Sequence, residues 1–215
     1  MFVTNYLSGF NTSELYTLYF DTYTQNNTDD TVGIPSDCST QDFGLIISLA
    51  VNSSTSPTDS TPSGWSKIAT DILSDGFIQT RSSVYAKLLS SADSSTTVSN
   101  LLVGAFGQGH NFYRFRGNYP LKSFTAYGDY FSISNGTPTS RSTLATGKTS
   151  PVLSIGFAFT STASPSPSFQ FSATDGGYWR GHSIWNLGQT PTSITLSGSD
   201  GGDRNMLFAA SFEIR

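Results

Sequence analysis

Apolar positions in this chain come in short runs and alternations, without the three-to-four spacing of a packed helix. The run 43–51 (Phe-Gly-Leu-Ile-Ile-Ser-Leu-Ala-Val) is strand-sized, β-rich and almost unbroken, the pattern of a strand covered on both faces. After it, the stretch 52–64 carries Pro57, Pro62 and Gly64, which preset φ or permit φ > 0 and so mark a loop. Trp65, Ile68 and Ile72 mimic helical spacing, yet Gly64 and Gly76 bracket a strand-sized piece, and a strand is expected there. In 77–89 the alternation is partial: Ile78, Thr80, Ser82 and Val84 take one side, and Tyr85, Lys87 and Leu89 take the other after a bulge. Upstream, 14–24, with its row 15–23 rich in aromatic residues and Thr, also reads as a strand. Between Phe112 and Phe131, aromatic residues punctuated by Gly117, Pro120 and Gly128 fit strands joined by tight turns. Further strands are expected near 151–160, 168–174, 180–187, 192–197 and 205–214.

Two stretches echo each other. The segment that starts Gly44-Leu-Ile-Ile-Ser-Leu-Ala-Val has a counterpart in Val152-Leu-Ser-Ile-Gly-Phe-Ala-Phe, each closed by a Ser/Thr/Pro turn. Thr97-Val98-Ser99 resembles Ile194-Thr195-Leu196-Ser197, and 101–106 resembles 206–212. The expectation is therefore an all-β antiparallel sandwich, jelly-roll-like, with an internal pseudo-repeat. Its division would be an arm with the first strand in 1–32 and a β-sandwich domain in 33–215, with halves near 33–133 and 151–215. Leu45, Ile47, Val84, Leu102, Ile155, Phe157, Leu207 and Phe212 are expected in the core. A chain of 215 residues buries roughly 70% of its unfolded surface, enough for one substantial core.

Composition narrows the class. Charged residues are only 12% of the chain, so hydroxyls and amides must hydrate the surface, a texture common in extracellular and virion β proteins. The net charge of −4 supplies no broad basic field, which argues against nucleic acid as a partner. With Cys38 alone, neither an intrachain disulfide nor a Cys-based metal site can form. No run approaches the ~18 apolar residues of a membrane helix, so membrane insertion is not expected. The first residues show no basic or apolar leader, so synthesis in the cytoplasm without a signal peptide is the expectation. Residues 1–11 read as an arm whose Phe2, Tyr6 and Phe10 are too sparse to form an element alone and would contact a neighbouring subunit.

Candidate chemistry is thin. There is no Gly-x-Ser-x-Gly elbow, no His-Glu-x-x-His and no Ca²⁺-binding helix-loop-helix pattern. Only Glu14 and Glu213 supply glutamate, and both fall in expected strands, a poor basis for a carboxylate pair set roughly 5 to 9 Å apart. No catalytic residue and no cofactor are therefore assigned. Asp200 and Asp203, in an Asp-Gly-Gly-Asp turn, form a weak candidate for Ca²⁺ against the alternative of a plain hairpin loop. The most suggestive surface pattern is 176–185. On a strand, Trp179, Gly181, Ser183 and Trp185 share one face, while Tyr178, Arg180, His182 and Ile184 share the other. If the tryptophans fill the core, Tyr178, Arg180 and His182 would form a glycan site, a stacking ring flanked by hydrogen-bond donors.

Pro62-Ser63-Gly64-Trp65, then Val84-Tyr85-Ala86-Lys87, then Phe115-Arg116-Gly117, and the closing Ala209-Ala210-Ser211-Phe212-Glu213-Ile214 occur in a telling order. In that order they resemble β-sandwich modules of tailed-bacteriophage virion proteins, over roughly residues 33–215. The acidic turn those modules carry after the Tyr-x-Lys strand is replaced here by Leu88-Leu-Ser-Ser-Ala-Asp93. The resemblance implies a non-catalytic virion structural protein, first an accessory capsid (decoration or cement) subunit. The alternative is a tail or fibre adhesin that binds a host-surface glycan. Implied partners are other virion proteins of capsid or tail and further copies of the chain in a homo-oligomer.

Overall fold

A computed structural model describes residues 17–26, 30–52, 55–74, 79–99, 101–103, 107–127, 131–134, 139–144, 151–158, 163–175, 178–185, 191–198 and 205–215. Antiparallel strands dominate, and the one helical turn among the described residues is the 3₁₀ turn Ser91–Asp93. Phe2, Tyr6, Phe10, Asp200 and Asp203 lie outside the described residues.

The first sheet contains β1 (Leu18–Asn26), β3 (Asp42–Asn52), β5 (Ser66–Ser74), β6 (Gln79–Leu88) and β9 (Gly107–Gly117). Short strands β2 (Val32–Gly33), β4 (Thr58–Asp59), β7 (Thr97–Val98) and β8 (Leu102–Val103) lie between them in the chain. The second sheet contains β10 (Phe124–Tyr127), β11 (Phe131–Ser134), β13 (Val152–Ala158), β15 (Phe171–Asp175), β16 (Tyr178–Trp185) and β18 (Asn205–Ile214). A third sheet is built from β12 (Thr139–Leu144), β14 (Ala163–Ser166) and β17 (Ser193–Gly198).

From edge to edge the first sheet runs β1-β9-β3-β6-β5 and the second β10-β18-β13-β16-β15, with β11 also on β18. These are one strand order used twice. The connecting strands follow suit: β2 pairs β7 and β4 pairs β8, as β12 and β14 both pair β17. The registers align the two copies residue by residue. Leu45 stands between Ala86 and Tyr113, as Leu153 stands between Ile184 and Phe212. Ile47 stands between Val84 and Asn111, as Ile155 stands between His182 and Ala210. By this register the counterpart of β18 is β9, so the likeness noted between 101–106 and 206–212 does not mark equivalent positions. β1 runs along β9 from Leu18 opposite Gly117 to Asn26 opposite His110, so it is an edge strand of the first sheet. β10 and β11, in turn, belong to the second sheet.

The two sheets pack face to face, as an all-β sandwich. Between them lie Phe43, Leu45, Ile47, Leu49, Val84, Ala86, Tyr113 and Phe115 from the first sheet. Leu153, Ile155, Phe157, Ile184, Phe208, Ala210, Phe212 and Ile214 meet them from the second. Each large apolar side chain taken from water here stabilises the fold by about 1.5–3 kcal/mol. The rings of Phe43 and Phe212 meet 5.5 Å apart across the interface, in the tilted arrangement aromatic pairs favour. Of the expected core residues, Leu102 is buried outside this cluster, and the Leu207 side chain lies outside the described part.

The outer faces are covered too. On the first sheet Ile46, Tyr85 and Phe112 lie under Trp65, Leu89, Val32, Ile34, Cys38, Val98 and Leu101. That double cover explains why β3 is buried from Asp42 to Ala50, as its unbroken apolar run anticipates. On the second sheet Trp179 and Ala209 pack with Leu196 of the third sheet. In both halves an indole lies close over a glycine of the central strand. A Cβ on Gly44 would stand 3.2 Å from Trp65, and one on Gly156 would stand 2.9 Å from Trp179. β5 is a strand, as expected, but the register shift falls on it, between Lys67 and Ala69, while β6 alternates in phase along β3.

Candidate binding cleft

Arg180 and His182 are not on the surface. They are 5% and 4% exposed and project from β16 into the space between the sheets. His182 sits in an aromatic cage, its ring centroid 4.6 Å from Phe20, 5.3 Å from Phe115 and 4.9 Å from Phe171. Arg180 lies 4.3 Å over the Tyr23 ring, and its Nη2 donates to the Tyr23 hydroxyl at 2.9 Å. For Arg180 and His182 this corrects the surface placement expected in the glycan site at Tyr178, Arg180 and His182. Trp179 is indeed buried, but on a face covered by the third sheet, while the opposite face meets the first sheet. With both faces covered, neither Arg180 nor His182 meets an external ligand. The Tyr178 side chain lies outside the described part. Burial pushes the His182 imidazole down to about pH 4, because a charge there would have no water around it.

Two ionic clusters knit the other half. Arg114, 3% exposed, donates from Nε to Asp21 on β1 and from Nη1 to Asp37 in the loop before β3, both at 2.6 Å. Arg116 forks onto the fully buried Asp42, Nε to Oδ1 at 2.6 Å and Nη2 to Oδ2 at 2.9 Å, and also reaches the Asp37 carbonyl. These planar two-bond contacts are the strong form of charge-assisted hydrogen bonding. They tie β1, β3 and β9 together and leave the guanidinium groups committed. The Arg114 hydrogen bond holds the Asp37 carboxyl below its ordinary range.

A third set of polar residues opens to solvent. On the outer cover of the first sheet, a cleft of about 420 Å³ is lined by Ile34, Pro62, Trp65, Lys87, Asp93 and a rim of hydroxyls that includes Thr61, Ser63, Thr97 and Ser99. Its walls come from four separate segments, one of them the stretch after β2 that carries Ile34. Another is the turn Pro62-Ser63-Gly64-Trp65, closed by a hydrogen bond from the Trp65 N–H to the Pro62 carbonyl at 3.1 Å. Gly64 adopts φ +77°, the left-handed conformation that the third position of such a turn demands, and a Cβ there would crowd Lys87 Nζ at 3.2 Å. The third segment is β6, which supplies Lys87 from the cover side of the sheet. The fourth is the 3₁₀ turn, where Asp93 accepts from the Ser90 N–H at 2.9 Å and from its hydroxyl at 3.1 Å. Asp93 Oδ1 also accepts from Lys87 Nζ at 2.6 Å. Burial raises the Asp93 pKa, but Lys87 and Ser90 outweigh it and hold the carboxyl below its ordinary value. Thr96 closes the loop by donating its hydroxyl to the Asp93 carbonyl at 2.7 Å, and the Ile34 N–H takes the Thr96 carbonyl at 2.8 Å.

Beneath the cleft, the Tyr85 hydroxyl donates to Asp59, and Asp59 also receives Lys67 at 2.9 Å. Burial and the neighbouring Asp59 carboxylate both raise the Tyr85 phenol, so it stays protonated and serves as a fixed donor. Asp93 and the rim hydroxyls were not singled out from the sequence. The one local signal was the spacing Ser90-x-x-Asp93, the pattern in which a side chain and a backbone N–H cap one another.

Compared with known proteins, the chain matches no family model, no curated protein and no solved structure.

Proposed function

We propose that this chain is a structural protein of a bacteriophage virion, an accessory capsid (decoration or cement) subunit that assembles with other virion proteins and with copies of itself. The observation that supports the reading is the convergence of two of the motifs that carry the resemblance, the Pro62–Trp65 turn and the Tyr85–Lys87 strand. Pro62, Trp65 and Lys87, spread over the sequence, line one cleft, with Tyr85 in the cluster directly beneath it. Arg116 locks the adjoining loop through Asp42. The first three motifs therefore meet on the first sheet and the loops around it, while the closing Ala209–Ile214 segment lies in β18 of the second sheet. A sandwich whose two sheets are each covered on both sides also suits a particle component whose task is to hold shape.

Mass spectrometry of purified virions tests the reading through copy number. Hundreds of copies per particle support the capsid assignment, and a few to some dozens favour the tail or fibre adhesin. Absence from particles overturns both.

A further inference from the structure

We propose that the cleft between the Pro62–Trp65 turn and the Ser91–Asp93 turn binds a neutral saccharide. The inference goes beyond the virion role and does not depend on where the protein sits on a particle.

Charge within the cleft decides the ligand class first. Lys87 is its ammonium and Asp93 its carboxylate, and they neutralise one another at 2.6 Å. An anionic ligand drawn to Lys87 is repelled by the Asp93 carboxylate beside it, and a cationic one drawn to Asp93 is repelled by the Lys87 ammonium. A ligand that leaves the pair intact and hydrogen-bonds to both of its members is favoured over either. Polyhydroxylated molecules do this, because each hydroxyl both donates and accepts. The rim has the same dual character: Thr61, Ser63, Thr97 and Ser99 present hydroxyls to the opening. The part of Trp65 left exposed, 8% of the residue, and the half-buried Pro62 add a small apolar wall, against which the C–H face of a sugar ring loses water at no polar cost.

The geometry is also prepared in advance. Lys87 is held by Asp93, Asp93 by Ser90, and the following loop by Thr96. Trp65 is packed edge-on against Phe112, with centroids 6.4 Å apart. Little side-chain freedom remains to be lost when a ligand arrives, which is where weak saccharide binding gains most. The volume of about 420 Å³ falls at the lower end of small-molecule sites, suited to a short saccharide and too small for a long one to be enclosed.

The test is a glycan array with the purified full chain, followed by titration of the strongest hit and by NMR of the tryptophan indole N–H signals. Two substitutions accompany it. Thr97→Arg places a bulky chain in the cleft from an exposed position and leaves the Lys87–Asp93 pair in place. Lys87→Met removes a charged donor, and the loss of such a hydrogen bond should weaken binding about tenfold to a hundredfold. Tyr23→Phe, on the inner face of the first sheet and outside the cleft lining, controls for general damage. The expected result is binding of an uncharged glycan that shifts the Trp65 indole signal, is lost in Thr97→Arg, is weakened in Lys87→Met and is unchanged in Tyr23→Phe. No hit on the array, or a hit indifferent to Thr97→Arg while that variant keeps the wild-type circular-dichroism spectrum, overturns the proposal.

Discussion

The two halves of the molecule share a strand order and differ in what they place on it. In the first, the inward positions of β6 are Ser82, Val84 and Ala86. The same positions of β16 carry Arg180, His182 and Ile184, by their registers against β3 and β13. The first half thus keeps its charged groups on the cover side and around the chain turns, where Arg114, Arg116, Lys87 and Lys67 each meet a carboxylate. The second sends a guanidinium and an imidazole into the space between the sheets. There the facing sheet receives them with aromatic rings, Tyr23 under Arg180 and Phe20 and Phe115 around His182. The covers differ in the same sense. A regular three-stranded sheet closes over Trp179, whereas loops and two-residue strands close over Trp65 and leave the cleft between their turns. Strand order positions the residues, and the irregular cover creates a site.

The largest expected effect comes from breaking the ionic side of this contrast. Arg116→Met removes the fork on Asp42, a carboxylate with no exposure at all, and should cost about 3–5 kcal/mol, the usual penalty for a buried charge that loses its partner. Urea unfolding followed by tryptophan fluorescence measures it. A loss below about 1 kcal/mol, the range of a surface pair, would show that Asp42 finds other support.

Next comes the imidazole in the second half. His182 titrates near 4 when folded and near its ordinary 6.5 when unfolded, so between those values the unfolded chain binds the extra proton. Stability should therefore be fully present above about pH 6.5 and fall as pH drops towards 4, by on the order of 3 kcal/mol. His182→Val copies the residue at the equivalent place in β6 and should remove that part of the slope. Urea midpoints at a series of pH values report it, and an unchanged slope in the variant would exonerate His182.

Glycine substitutions compare the two covers. Gly44→Ala and Gly156→Ala each force a methyl group beneath an indole, with a cost of about 1–3 kcal/mol for overpacking. Gly156→Ala should be the worse, because its nearest contacts are at 2.9 Å against 3.1 Å for Gly44. The reverse order in thermal unfolding would mean that the third sheet yields more readily than the loops over Trp65.

The smallest effect is expected where the halves touch. Tyr23→Phe removes the acceptor for Arg180 but keeps the ring beneath it, and should cost about 1 kcal/mol, one hydrogen bond to a charged group that retains its cation–π contact. Tyr23→Leu, which removes both, should cost more. Equal losses would assign the whole contribution to the hydrogen bond.

Alternation and run length, properties of the sequence alone, determined that this chain is all β. The unbroken run 43–51 announced a strand covered on both faces, and β3 is one. The likeness of 44–51 to 152–159 pointed to equivalent central strands, and the registers of Leu45 and Leu153 agree. A period of two separates the residues of a strand into two faces, but it does not say which face meets solvent when both are covered. For that reason the sequence led to Arg180 and His182 as surface groups, and only the packing of one sheet on the other turned them inward. The likeness of 101–106 to 206–212 failed for a related reason. Similar apolar runs suit a cover strand and a sheet strand equally well, and only hydrogen-bond register distinguishes β8 from β9. The cleft lay furthest from view. Its walls come from residues 34, 60–65, 87 and 93–99, and no periodicity links segments brought together by the covering of a sheet, so tertiary structure alone made them neighbours.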